Sequence, residues 1–135
     1  NLPEEFLHRE REGIVASGYV PTMQASYQSS ALFVCPLFVG SGVRIKIMEA
    51  MAAGLPVVAT HIGAEGVEAT REEGLIVEDD PQRQADEIIR LLGDFNERSR
   101  LSNAAMDYVN QHHEWSASID RIADYYRRLA THAMR

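Results

Sequence analysis

Short runs of apolar residues alternate along the chain with longer segments whose apolar residues recur every three or four positions. Four runs are short, continuous and bounded by glycine or proline, which is typical of strands covered on both faces of a sheet. They predict strands at residues 14–16, 31–35, 56–60 and 74–77. The periodic segments predict helices at residues 3–12, 22–29, 43–53, 80–92 and 94–112, and a last helix from about residue 115 to 129.

This alternation of buried strands and helices predicts a parallel, doubly wound sheet, an α/β domain in three layers with a helical C-terminal tail. Four strands are few for that architecture, so we expect an incomplete sheet that lacks one or two strands preceding Asn1. No repeat, linker or low-complexity segment divides the chain, and residues 1–135 are expected to form a single domain. An unfinished sheet edge also favours pairing with a second copy in a homodimer.

Composition excludes several classes of protein. The chain has 135 residues and a net charge of −7, which opposes a general electrostatic attraction to nucleic acid. Its single cysteine, Cys35, allows no internal disulfide, and we expect a reducing, cytoplasmic setting. No apolar run approaches the roughly 18 residues that a membrane span needs.

A glycine loop, Gly40-Ser41-Gly42, leads from the second predicted strand into the third predicted helix. In open α/β sheets ligands bind at such strand-to-helix turns, because free backbone N–H groups and the positive end of the helix face the crevice. The loop lacks the third glycine of a dinucleotide fingerprint, since Ile45 stands at that position. Taken alone, the loop is a weak signal.

The helix after the loop carries an unusual pair of charges. Its apolar residues cover two opposite sides, and we expect it to be almost wholly buried. Lys46 and Glu49 nevertheless lie three residues apart on one narrow stripe, which points back to the glycine loop. The pair has two interpretations: an ordinary helical ion pair worth about 0.2–0.5 kcal/mol, or part of a ligand site. Arg44 is expected on another side of the helix, at the surface.

Residues 40–60, GSGVRIKIMEAMAAGLPVVAT, resemble the signature of retaining glycosyltransferases of the GT-B fold, family four. The similarity continues through residues 62–66, residues 74–81 and the segment from Trp115 to Leu129. The whole chain is similar to the later part of that family's donor-binding domain. The resemblance implies a Rossmann-like domain that forms one half of a GT-B enzyme and binds a nucleoside diphosphate sugar.

The resemblance assigns roles to the two charged residues of the helix. Glu49 matches the second glutamate of the family's signature pair, which accepts hydrogen bonds from the ribose hydroxyls of the donor. Lys46 matches a lysine common in one branch of the family, and it is expected to orient Glu49 or to contact the donor.

Two backbone segments also receive roles from the resemblance. The amides of Ser41, Gly42 and Val43, after Gly40, match the loop that approaches the donor diphosphate and sugar. Tyr19 and Val20 match the segment that lines the nucleobase.

The chain departs from the family pattern in two respects. The family's first glutamate, which contacts the donor sugar, would fall at Ser41. The basic residues that usually clamp the diphosphate belong to strands and loops upstream of Asn1, and the acceptor-binding domain is not in this chain. We therefore expect this piece alone to bind donor weakly and to transfer nothing, with the acceptor domain of the full enzyme as its partner.

Three further residues are candidates for contact with the donor, namely His61, Glu65 and Arg44. Cys35 is read as a small buried hydrophobe, and Asp79-Asp80 as a helix start rather than a metal-binding pair. No catalytic residue is assigned, and neither a metal site nor a cofactor is expected, because the nucleotide sugar is a substrate.

The sequence thus favours glycosyl transfer from a nucleoside diphosphate sugar with retention of configuration, in which backbone amides and cations polarise the leaving group without a metal. Two alternatives stay open: a GT-B-like nucleotide-sugar epimerase, and a non-catalytic nucleotide-binding module. Peripheral association of the full enzyme with a membrane stays open as well.

Overall fold

The computed structural model describes residues 13, 15 and 17–112. In this part of the chain the order of elements is α1 (Gln24–Gln28), β1 (Phe33–Cys35), α2 (Ile45–Ala52), β2 (Val57–Ala59), a 3-10 turn (Arg71–Glu73), β3 (Leu75–Val77), α3 (Pro81–Gly93) and α4 (Phe95–His112). The predicted helices at residues 3–12 and 115–129 lie outside the described residues. So does most of the first predicted strand, of which only Val15 is described.

The sheet is parallel, and its strands follow one another in sequence order, β1-β2-β3. Phe33, Val34 and Cys35 pair with Val57, Val58 and Ala59, and these pair in turn with Leu75, Ile76 and Val77. The predicted α/β architecture is confirmed. Each strand is one or two residues shorter than its apolar run, because the flanking residues turn into loops before the ladder can continue.

Alternate residues of the central strand face two different cores. Val57 and Ala59 pack with α1, α2 and the later part of α4, whereas Val58 packs with Ile76, Leu91 and Leu101 on the opposite face. This alternation follows from the two-residue period of a strand. Helices on both faces of the sheet make the three layers of a Rossmann-like domain.

Helix α2 begins at Ile45 and ends at Ala52, followed by Gly54 with a positive φ of 77°. The expectation of an almost wholly buried helix is wrong. Ile47, Ala50 and Met51 are buried, but Ile45 is 66% exposed. The apolar pattern shows that two sides can be buried, and the sheet and α4 cover only one of them.

Helix α3 starts as its sequence predicts. The Asp80 side chain accepts a hydrogen bond from the Arg83 amide at 2.9 Å, and Pro81 occupies the first helical position. Of its two adjacent leucines, Leu91 is buried whereas Leu92 is exposed. Gln84 is also buried, and its side-chain amide donates to the carbonyl of Glu78.

Candidate functional site

The expected site residues that line a cleft are divided between two clefts. One cleft, of about 570 Å³, lies between α1 and α2 and is named here the Glu49 cleft. Its lining consists of Thr22, Met23, Gln24, Tyr27, Gln28, Lys46, Glu49, Ala52 and Ala53. The other cleft, of about 380 Å³, lies at the carboxyl edge of the sheet and is named the Gly40 cleft. It is lined by Gly40, His61, Ile62, Ala64, Glu65, Gly66, Val67 and Val77.

The Glu49 carboxylate is held on one of its two oxygens. Lys46 Nζ donates to Glu49 Oε2 at 2.7 Å, and the Tyr27 hydroxyl donates to the same oxygen at 3.0 Å. Within the described part of the chain, Oε1 has no hydrogen-bond partner. The carboxylate is therefore oriented, yet keeps an acceptor for a ligand.

The exposure of the charged pair corrects one premise of the sequence interpretation. The side chains of Lys46 and Glu49 are 59% and 40% exposed, so the two charges are not buried. An exposed pair of this kind contributes little to stability. The two interpretations of the sequence thus apply together. Lys46 and Glu49 form an ion pair within the helix, and both residues line the Glu49 cleft.

Mutual effects on pKa keep this group in one protonation state. The pKa of the Glu49 carboxyl is lowered, first by the hydrogen bond from Lys46, against partial desolvation, and then by the hydrogen bond from Tyr27. The pKa of Tyr27 is raised to about 12 by its burial and by the Glu49 carboxylate. At neutral pH Glu49 is consequently ionised and Tyr27 is a hydrogen-bond donor.

Tyr27 is the member of this group that the sequence interpretation missed. It is only 7% exposed, and its ring packs edge-on against Phe33 of β1 with centroids 6.1 Å apart. Its position 22 residues before Glu49 gives no periodic signal. A tyrosine on a short helix beside a charged helix was the one available clue.

At the Gly40 cleft, the backbone amide of Gly42, which the resemblance assigns to donor binding, already donates a hydrogen bond to a carboxylate. Glu65 Oε2 accepts a hydrogen bond from the Gly42 amide at 3.0 Å. The loop at residues 63–66 packs closely against Val43. A Cβ on Gly66 would come within 2.7 Å of a Val43 methyl group. Two loops that follow neighbouring parallel strands are thereby joined at the same edge of the sheet.

The second of these loops is anchored below the cleft by Thr60. The Thr60 hydroxyl donates to the Leu37 carbonyl and accepts from the Gly63 amide at 2.9 Å. Cys35 lies beside it, half-buried, with its thiol 3.9 Å from the Gly63 carbonyl oxygen. Burial raises the pKa of the Cys35 thiol, although the nearby Arg44 charge opposes this rise. The expected role of Cys35 as a packing residue agrees with its contact to the core.

Arg44 does not lie free at the surface as expected. Its guanidinium folds back under the glycine loop, where Nη1 donates to the Ser41 carbonyl at 3.3 Å. A Cβ on Gly40 would lie 2.6 Å from Nη2, which shows how closely the loop covers this cation. Nε and Nη2 are buried and have no acceptor among the described residues. A positive charge thus stands directly behind the loop.

Of three other expected site residues, His61, Tyr19 and Val20, only His61 lines one of the two clefts. His61 is exposed at the rim of the Gly40 cleft, and its amide donates to Asp79 Oδ1 at 2.7 Å. Tyr19 is 91% exposed, and neither Tyr19 nor Val20 lines either cleft. The expected nucleobase segment therefore takes no part in the lining of these two clefts.

The link between the two loops makes a testable prediction. In Glu65→Ala the Gly42 amide loses a charged acceptor worth about 1.5 kcal/mol, and we expect its hydrogen exchange to become roughly tenfold faster. NMR exchange measurements on the labelled chain would detect this. Glu68→Ala, which removes an exposed carboxylate from the same loop, should leave Gly42 unchanged. Equal exchange in the wild-type chain and Glu65→Ala would contradict the described contact.

In the described ranges no group of three or more histidine, cysteine, aspartate or glutamate side chains is arranged to hold a metal ion. None of the helices up to His112 combines the length and apolar character that crossing a membrane requires.

Comparison with known proteins identifies the family. The sequence model described as Glycosyl transferases group 1 matches residues 2–94. The chain belongs to this family. The match includes the glycine loop, α2 and both clefts, so the candidate site lies within the part that defines a group 1 glycosyltransferase.

Two relatives with glycosyltransferase or mannosyltransferase names agree with this assignment, and an uncharacterized protein is similar as well. A D-inositol 3-phosphate glycosyltransferase of Corynebacterium urealyticum is 36% identical over 110 residues, which cover 78% of this chain and 25% of that protein. A phosphatidyl-myo-inositol mannosyltransferase of Mycobacterium leprae is 32% identical over 109 residues, covering 79% and 29%. An uncharacterized 44.6 kDa protein of the Klebsiella pneumoniae cps region is 27% identical over 92 residues, covering 68% and 24%. The chain spans about a quarter of the length of these relatives.

Proposed function

We propose that this chain is the donor-binding half of a metal-independent glycosyltransferase, which takes a glycosyl unit from a nucleoside diphosphate sugar and transfers it with retention. The acceptor-binding half of the full enzyme would complete the site. The relatives' names describe transfer to inositol-containing acceptors by those proteins. For this chain the proposal concerns only the donor, and the two clefts are its candidate binding sites.

The observation that carries the proposal is the half-occupied Glu49 carboxylate. Tyr27 and Lys46 use Oε2, and Oε1 stays available at a cleft of about 570 Å³, a size suited to a small ligand. An ionised oxygen accepts hydrogen bonds and repels other anions. The partner that fits it is a hydroxyl group, as on a ribose ring, rather than a phosphate.

The Gly40 cleft supports the sugar and diphosphate end of the proposal. Glu65 places a carboxylate next to Ser41, where the family's signature would otherwise have its first glutamate, and it suits the hydroxyls of a sugar. Arg44, behind the glycine loop and short of acceptors, supplies the positive charge that a diphosphate requires. In this assignment Gly40, Ser41, Gly42, Val43 and His61 border the donor.

A comparison of nucleotides with and without ribose hydroxyls tests the proposal. The labelled chain is titrated by NMR with UDP, GDP and ADP, and then with the 2′-deoxy and 3′-deoxy forms of the best ligand. We expect millimolar binding of one base and at least roughly tenfold weaker binding without a hydroxyl that Glu49 contacts, since one hydrogen bond to a charged group is worth about 1.5–3 kcal/mol. Equal affinity for the deoxy forms would refute ribose recognition by Glu49.

A further inference from the structure

Two donors converge on one oxygen of Glu49, although a carboxylate has two oxygens and lone pairs to spare. Lys46 and Tyr27 approach Oε2 from different helices, at 2.7 Å and 3.0 Å. Lys46 precedes Glu49 by about one turn of α2, whereas Tyr27 reaches it from α1. Because both donors bond Oε2, Oε1 is the oxygen left without a hydrogen-bond partner among the described residues.

The two donors differ in how firmly they are held. The Lys46 side chain is 59% exposed, and an exposed ion pair of this kind restrains a carboxylate only weakly. The Tyr27 ring is 7% exposed, belongs to the main core and rests edge-on against Phe33. Its hydroxyl therefore has a fixed position relative to the sheet, and it is the firmer of the two restraints on Glu49.

Another tyrosine of the chain shows that this arrangement is not required for burial. Tyr108 is also 7% exposed, and it is hydrogen-bonded to the backbone of Glu68. A buried tyrosine hydroxyl in this fold can thus be satisfied by the main chain. Tyr27 instead contacts an ionised side chain at the wall of a cleft.

We propose that Tyr27 is a positioning residue for donor recognition, which holds Glu49 Oε2 so that Oε1 faces the Glu49 cleft as the acceptor for the ligand. This inference rests on the proposed function and extends it to a residue with no assigned role. Tyr27 itself need not touch the ligand. Its effect is to remove the rotational freedom that Glu49 would otherwise lose on binding.

The test uses Tyr27→Phe, which keeps the ring and removes only the hydroxyl. We expect the affinity for the best ribonucleotide to fall roughly fivefold, the loss typical of one hydrogen bond. The affinity for the deoxy form that lacks the Glu49-bound hydroxyl should not change, because this ligand has no donor for Oε1 and gains nothing from its orientation. Tyr108→Phe, equally buried, should bind both ligands as the wild-type chain does.

A measurement without ligand separates failure of this inference from failure of the proposed function. The pKa of Glu49, followed by the NMR signal of its side-chain carboxyl carbon, should rise in Tyr27→Phe and stay constant in Tyr108→Phe. An unchanged Glu49 pKa would overturn the positioning role even if nucleotides bind. If the pKa rises but no nucleotide binds the wild-type chain, the contact stands, while donor recognition and the positioning role in it are both overturned.

A purely structural role gives a different pattern. In that case Tyr27→Phe and Tyr108→Phe would lower the midpoint of urea unfolding alike, and the loss of affinity in Tyr27→Phe would be the same for the ribose and deoxy ligands. That result would also overturn the proposal.

Discussion

Replacement of Glu49 by alanine is expected to remove detectable nucleotide binding. The variant loses the only ionised acceptor described in the Glu49 cleft, and two ribose hydroxyls each lose a bond worth about 1.5–3 kcal/mol. The two bonds together are worth at least about 3 kcal/mol, and the Kd should therefore rise at least roughly hundredfold, since about 1.4 kcal/mol corresponds to a factor of ten. From a millimolar starting point, this places binding beyond the range of an NMR titration.

The controls for this variant separate charge from geometry. Asp107→Ala also removes one negative charge, from an exposed position on α4, and it should bind as the wild-type chain does. Glu49→Gln keeps an oxygen acceptor but loses the charge, so an intermediate affinity is expected. Binding that persists unchanged in Glu49→Ala, with the protein folded, would remove Glu49 from the donor site.

Gly63→Ala is expected to cause the largest loss of stability among simple substitutions at the site. A Cβ at this position would overlap the backbone carbonyl oxygen of Cys35 and crowd Thr60. Neither neighbour can move freely, because Cys35 ends β1 and Thr60 bonds both Leu37 and Gly63. Overpacking of this kind typically costs about 1–3 kcal/mol, and more where the backbone must shift.

Gly93→Ala is the matched control, since a Cβ there meets nothing within 4 Å. Gly93 lies at the end of α3, where alanine has a higher helix propensity by about 1 kcal/mol. Urea unfolding should therefore show a lower midpoint for Gly63→Ala and an unchanged or higher midpoint for Gly93→Ala. Equal midpoints for Gly63→Ala and the wild-type chain would contradict the close approach of Gly63 to the end of β1.

The elements of this fold could be predicted where the signal is local. Asp80 and Pro81 fix the start of α3 within a few residues, and Gly54 ends α2 because its backbone adopts a left-handed conformation. The exposure of Ile45 and Leu92 could not be predicted in this way. Periodicity shows which residues share a side of a helix, but the neighbours that cover this side are set by tertiary packing.

In the candidate site, too, local contacts could be predicted and contacts between distant segments could not. Lys46 and Glu49 were paired from their spacing on one helix, and the contact between them is confirmed. Contacts between distant segments, such as Tyr27 with Glu49 and Gly42 with Glu65, depend on how two elements are set against each other. The split into two clefts has the same origin, because the sequence places the glycine loop and Glu49 together but does not show where each opens.

The packing of α4 has a consequence for any exchange of parts between relatives. The family match stops at residue 94, one residue before α4 begins. Yet Leu101 and Ala105 of α4 are fully buried, one in each core, and the Ser102 hydroxyl binds the carbonyl of Gly54 just after the signature helix. A chimaera joined at residue 94 would combine the signature of one protein with the α4 of another, and would replace these contacts. The exchangeable module therefore extends into α4, at least as far as Ala105.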